Sequence, residues 1–283
     1  MSQFRAAIII PHFDDAARLQ RCLAALVPQL RPEVEVVVVD NNSPTRPELP
    51  AALRLVIEPQ KGAANARNRG VAETTAPLLF FLDSDCVPAA NWLDTALDAA
   101  ARADLVGGTV TVFDETPAPR SGAEAFETVF AFDNRGYIEK EGFSVTANLL
   151  TRRDIFEAVG GFRDGLSEDL DWCHRARAAG YRIVHAPDLQ VSHPSRSDWP
   201  ALERKWRRIT RESFGVNGNG ARARLKWTLR ALAMLPSIAA HAPRILRDAR
   251  LARGEKLAAL GTLARQRLTR MAWMLRQAAG GAI

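Results

Sequence analysis

Apolar residues in the first two-thirds of the chain fall into short runs, each followed by a stretch with helical spacing. Residues 6–10, 34–39, 53–57 and 78–82 are nearly all apolar, and each predicts a short strand buried on both faces. Between them, Leu19, Cys22, Leu23 and Leu26 share one helical side, after Asp14-Asp15 and before Pro28. Residues 63–73 read as a helix entered through Gly62, and Asn91 is placed to cap a helix over residues 91–101. Residues 104–113 predict another strand. The next stretch is less regular: a loop over 116–123, a helix over 124–132 and a strand over 143–150. Beyond the turn Gly160-Gly161-Phe162, the pattern predicts a helix over 168–179 and two short strands, 182–185 and 189–193. Alternating strand and helix units with apolar strands imply an α/β fold with a mostly parallel sheet sandwiched by helices.

Charge divides the chain where this pattern ends. Residues 1–198 hold 20 Lys/Arg against 28 Asp/Glu, and residues 199–283 hold 18 against 4. The expected organisation is therefore one α/β domain over 1–198 and a basic helical extension over 199–283. Within the extension, residues 201–213 and 222–276 are helix-prone, with breaks at Pro236 and Pro243. Leu257, Leu260, Ala264, Leu268, Met271 and Leu275 repeat near helical period, with Arg265, Arg267, Arg270 and Arg276 on the flanks and opposite side. Such a helix, with Trp273 among its residues, fits an anionic membrane surface. The other reading packs it on the first domain or on a second subunit. No recognised nucleic-acid module accompanies the charge. Three cysteines, widely spaced, form neither a zinc motif nor a disulfide framework. With no signal-peptide layout and no run long enough to span a bilayer, a cytoplasmic protein is expected, peripheral on the inner membrane face if the tail binds lipid.

In parallel sheets ligands sit beyond the C-terminal ends of the strands. Three predicted strands end at Pro11-His12-Phe13, at Asp40-Asn41-Asn42-Ser43 and at Asp83-Ser84-Asp85. Each alone is ordinary turn chemistry; three together mark one crevice. Asp83 and Asp85, two residues apart, repel each other unless a cation or a donor-rich ligand lies between them. Otherwise they belong to a solvated turn that caps the next helix.

The segments IIIPHFDDAARLQRCLAAL, VVVVDNNS, QKGAANARNRG, LFFLDSDCVP, GGFRDGLSEDLDWCHRARAAGY and VSH occur in one order over residues 6 to about 193. This ordered set resembles glycosyltransferase family 2, a group of inverting enzymes. The resemblance implies the GT-A fold and a non-processive transferase that moves one sugar from a nucleoside-diphosphate sugar. UDP is favoured, with dTDP and GDP as alternatives. The acceptor would be a glycan or lipid-linked hydroxyl in cell-surface polysaccharide synthesis. It assigns Pro11, Asp40, Arg67, Asp83 and Asp85 to donor binding, with Asp40 at the base. It assigns Asp85, Asp83 and His193 to a Mn²⁺ or Mg²⁺ ion. Asp169 becomes the catalytic base, with Asp171 as alternative; Glu168 and Trp172 are placed toward the acceptor, with a core position as the equal alternative for Trp172. Ser167, Glu168 and Asp169 also make a favourable helix start without any function.

The chain departs from the family pattern at Thr45 and Cys86, where many relatives carry acids. It also lacks the Gln-x-x-Arg-Trp of processive synthases; the nearest sequence is Glu203-Arg204-Lys205-Trp206, which leaves Lys205 or Arg208 as candidates to close over the diphosphate. A nucleotidyltransferase on a similar sheet and a non-catalytic membrane-associated nucleotide-sugar binder are the alternative functions.

Overall fold

The structure, a computed structural model, describes residues 3–165 and 167–283; Met1 and Ser2, and Leu166 of the late motif, lie outside the described residues. Its strands are β1 (Ala6–His12), β2 (Val34–Asp40), β3 (Arg54–Ile57), β4 (Leu78–Leu82), β5 (Val87–Pro88), β6 (Leu105–Phe113), β7 (Asn148–Arg152) and β8 (Ile183–Pro194). The helices are α1 (Ala16–Leu26), α2 (Ala63–Ala72), α3 (Trp92–Ala100), α4 (Gly122–Phe130), the single turn α5 (Asn134–Gly136), α6 (Arg153–Val159), α7 (Glu168–Ala178), α8 (Trp199–Asn217), α9 (Ala221–Leu232), α10 (Met234–Arg247) and α11 (Arg253–Ala278).

The strands form one sheet in the order β3-β2-β1-β4-β7-β6-β8-β5. β1 pairs in parallel with β2 and β4, and β2 with β3. Beyond β4 the pairing reverses: β7 runs antiparallel to β4 and β6, and β5 antiparallel to β8. Burial of both faces explains the run of apolar residues in β1, where Ala6, Ala7, Ile8, Ile9 and Ile10 are inaccessible. One expectation changes: the two strands over 182–193 are a single strand, β8, that runs through Pro187. A proline removes one ladder donor and survives where no neighbour needs it. β5 covers β8 only at Val191 and Ser192, so Pro187 has no partner to disappoint there.

The chain forms two compact units. The first comprises residues 1–111 and 133–193. Its core gathers Phe81, Phe156, Phe162 and Trp172, with Phe81 and Phe162 edge to face at 5.1 Å and Phe156 stacked on Trp172 at 5.6 Å. Burying each ring contributes roughly 1.5–3 kcal/mol. Helix α2 seats directly on β1, because a Cβ at Gly70 would lie 2.4 Å from Ile9 Cγ2. That approach carries Arg67, one turn earlier on the same helix face, over the strand ends.

The second unit comprises residues 112–132 and 194–283. Its long helix α11 packs against α4, α8, α9 and α10 around Phe126, Leu202, Ile245 and Leu263. Of the two expected breaks, the one at Pro236 is found, between α9 ending at Leu232 and α10 beginning at Met234, and the one at Pro243 is not. Pro236 lies in the first turn of α10, where its missing N–H costs no intrahelical bond, and the helix continues through Pro243. The face of α11 also differs. Its buried line is Glu255, Ala259, Leu263, Gln266, Arg267, Met274 and Gln277, while Leu257 and Leu268 stay exposed. Among the described residues, no helix is long and apolar enough to cross a membrane.

Candidate active site

The parallel register places the ends of β1 and β2 side by side, with His12 opposite Asp40. Asp40 is buried, and its Oδ1 accepts from His12 Nδ1 at 3.0 Å and from Ser43 Oγ at 2.5 Å; Oδ2 accepts from the Ser43 amide at 3.2 Å. The Asp15 amide donates to His12 Nε2 at 3.3 Å, which sets the ring tautomer with its proton on Nδ1. Ser43 Oγ in turn accepts from the Asp14 amide at 2.8 Å. An ionised carboxylate offers about four acceptor sites, so three donors leave Asp40 room for one more. Asn41 ties the next loop: its amide donates to the carbonyls of Glu58 and Gln60 and its oxygen accepts from Gly62 N at 2.7 Å. Beside these exits lies a recess of about 520 Å³, lined in part by His12, Asp14, Gln20, Thr45, Arg46 and Glu48. Pro11 sits within β1, opposite Val39.

Asp83 and Asp85 leave β4 for different partners. Asp83 Oδ1 accepts from Arg67 at 2.6 Å, and Asp85 Oδ2 pairs with His193 Nε2 at 3.1 Å. The other arm of the Arg67 guanidinium donates to Glu168 Oε1 at 2.8 Å. Arg67, with a side chain only 4% exposed, therefore joins the turn after β4 to the first residue of α7. The cation expected between the two aspartates is in part supplied by the protein itself. Among the described residues, Asp83, Asp85 and His193 do not close into a group of three metal-ligating side chains; the Asp85–His193 pair is assembled.

Asp169 follows Glu168 in the first turn of α7. Ser167 Oγ and the Leu170 amide both donate to its Oδ1, at 3.0 and 2.8 Å, and no described residue donates to Oδ2. Burial, reinforced by the Glu168 charge, raises the Asp169 carboxyl above the ordinary carboxylate range, against the pull of its two donors and of Arg67. Asp171 is committed elsewhere: Arg175 holds it at 2.9 Å and Arg163 approaches to 3.6 Å.

Two expected roles are corrected. Trp172 offers no face to an acceptor, because it is inaccessible in the aromatic core and its indole donates to the Gly160 carbonyl at 2.9 Å. Lys205, a candidate to close over a diphosphate, lies in the second unit, where Glu127 holds its ammonium at 2.6 Å and Phe132 covers it. Glu168 was expected toward an acceptor and is found on Arg67. His12 and Ser43, which complete the Asp40 network, were not assigned from sequence. Their position at aligned parallel strand ends is the signal that points to them.

Residues 7–160 match the profile described as glycosyl transferase family 2. The chain is 34% identical over 218 residues to the glycosyltransferase AglE of Haloferax volcanii, across 71% of this chain and 70% of that protein. It is 30% identical over 212 residues to the pre-mycofactocin glycosyltransferase of Mycobacterium tuberculosis, across 69% of this chain but 44% of that longer protein. Among solved structures, the fold is similar to that of a mannosyltransferase from Pyrobaculum calidifontis in complex with GDP-Man and Mn²⁺. The TM-score is 0.56 at 18% identity, over 98% of this chain and 75% of that one. It is also similar to GalNAc-T7 with UDP, GalNAc and Mn²⁺, at TM-score 0.53 and 15% identity over 73% of this chain and 47% of that one.

Proposed function

This chain belongs to glycosyltransferase family 2 and is a glycosyltransferase, and from that premise we propose an inverting, metal-dependent transfer of one sugar from a nucleoside-diphosphate sugar, UDP-linked by preference. The acceptor is a hydroxyl of a glycan or lipid-linked glycan in cell-surface polysaccharide synthesis. The observation that carries this reading is the arrangement around Arg67. One guanidinium spans from Asp83, beside the Asp85–His193 pair, to Glu168, beside Asp169. Leaving-group and base functions need separate segments, and here both are tied to one point.

Asp40 and the recess next to it suit a nucleoside, with the remaining Asp40 lone pair as the base acceptor. Asp85 and His193 fit a divalent ion, since a carboxylate and an imidazole suit Mn²⁺ and a ligand diphosphate completes such shells. Bound there, Mn²⁺ or Mg²⁺ would offset the charge that grows on the departing diphosphate. Asp169 Oδ2 takes the proton of the acceptor hydroxyl as its oxygen bonds to the anomeric carbon and the bond to the diphosphate breaks on the opposite face. The raised Asp169 pKa favours that transfer.

The acceptor reading extends to an anionic membrane surface. On α9, Leu225, Leu229 and Leu232 are 61, 60 and 50% exposed, and Arg222, Lys226 and Arg230 stand exposed among them. This row, rather than the α11 stripe, has the apolar face and positive rim that such a surface binds.

A thermal-shift panel of UDP-, GDP- and dTDP-sugars with Mn²⁺ tests the donor. UDP-sugars should raise Tm most, and Asp85→Ala should abolish Mn²⁺-dependent donor hydrolysis. Full metal-dependent turnover in that variant would remove Asp85 from the metal site.

A further inference from the structure

Six buried polar atoms without a hydrogen-bond partner among the described residues belong to α8 and α11, whose packing forms a seam within the second unit. From α8 they are Trp206 Nε1 and Thr210 Oγ1; from α11 they are both amide atoms of Gln266, Arg267 Nε and Arg270 Nε. Trp206 and Thr210 are one turn apart, as are Gln266 and Arg270, so each set shares a helix face. The Arg270 guanidinium stacks 4.9 Å from the Trp206 ring and joins the two rows. Thr210 is inaccessible, Gln266 is 1% exposed and Arg267 is 9% exposed. Five of the six atoms donate, and among the described residues no carboxylate lies within ion-pair distance of Arg267 or Arg270. Among the described residues, Arg267 donates to His241 Nδ1 at 3.1 Å.

We propose that this seam is a binding site for a phosphate-type anion, held by Arg267 and Arg270 with Trp206 Nε1, Thr210 Oγ1 and the Gln266 amide. Water would satisfy the hydrogen bonds but leave the buried Arg267 and the partly buried Arg270 without a counter-charge. A phosphate supplies both, and guanidinium and indole donors match its acceptor oxygens. Burial already holds both arginines below their usual range, Arg270 at about 10, with Arg267 and Arg230 adding like charge; an anion reverses that pressure. The reading does not depend on the transfer chemistry of the first unit. The phosphate has two sources, a free anion or the headgroup of a lipid.

The test uses the full chain in EDTA, which removes metal-dependent binding elsewhere. Inorganic phosphate, titrated against sodium chloride at matched ionic strength, should raise Tm saturably in the unmodified protein. In Arg267→Gln/Arg270→Gln the apparent affinity should fall at least about tenfold, since each charge-assisted contact carries about that factor. Exposed Arg102→Gln should leave it unchanged. If free phosphate is inert, vesicles of phosphatidic acid should bind more tightly than phosphatidylserine vesicles of equal charge, and the double variant should lose the preference; this result assigns a lipid headgroup. If the double variant does not fold by circular dichroism, Arg270→Lys keeps the charge and loses the planar fork, and should weaken binding by about tenfold. No response to either probe, or an equal response in the variants, overturns the site.

Discussion

Arg67 is buried in the sheet unit and Arg270 is partly buried in the helical unit, and their surroundings are opposite. Arg67 meets carboxylates from two distant segments, Asp83 and Glu168. Arg270 meets a tryptophan ring and the like charges of Arg267 and Arg230, and among the described residues no acid pairs with it. Overall charge follows the same division: residues of the sheet unit hold 23 acids against 18 bases, and those of the helical unit hold 9 against 20. The lesson is that burial of a cation alone does not define its role. With its acids in place it is a strut; without them it calls for an anion from outside.

The largest expected effect separates the reactive acid from the braced ones in the sheet unit. Asp169→Asn should lower the transfer rate by about 10²–10⁴-fold and leave nucleotide-sugar binding by calorimetry intact. Normal turnover would shift the base to Asp171 despite its two arginines. Because burial and Glu168 raise the Asp169 pKa, the acid limb of kcat/KM should begin above the ordinary carboxylate range and fall as pH drops through it.

The strut comparison itself is broken or sharpened by one substitution made twice. Arg67→Met should cost about 3 kcal/mol, because it leaves two carboxylates facing each other, and denaturant titration reads this. Arg270→Met in phosphate-free buffer should cost nothing or add stability, since it removes an uncompensated charge. Equal losses in the two variants would erase the distinction. Glu127→Ala tests whether the helical unit also braces a cation. It should cost about 2–3 kcal/mol, as it strands the Lys205 ammonium. Burial works against the Glu127 carboxylate, but Lys205 and Arg196 hold it below its usual range. Its contribution is therefore present above the unfolded-state pKa and lost as pH falls through the lower folded value. The smallest effect is Leu229→Asp, which should change stability by less than about 0.5 kcal/mol yet reduce sedimentation with anionic vesicles.

The strand exits were legible because apolar runs end abruptly at Asp40 and Asp83, and parallel sheets gather such ends on one edge. The brace was not. Nothing in Asn65-Ala66-Arg67-Asn68 tells that the acids it meets lie 16 and 101 residues away. Trp172 was undecided from sequence, because an aromatic residue beside an acidic pair reads the same whether it faces a ligand or the core, and burial decides for the core. The face of α11 was missed for a related reason. Its leucines repeat with helical period, but four neighbouring helices compete for that helix, and packing turned Gln266 and Arg267 inward instead.

The span of the Arg67 brace also sets a timetable for synthesis. At roughly 5–20 residues per second, Asp83 follows Arg67 from the ribosome within about 1–3 s, and Glu168 only after about 5–20 s. For that interval the nascent chain owns a donor half with one arm of its guanidinium unclaimed. Acquisition of the second arm comes one residue before the appearance of Asp169, so the base follows directly on the contact that anchors its helix.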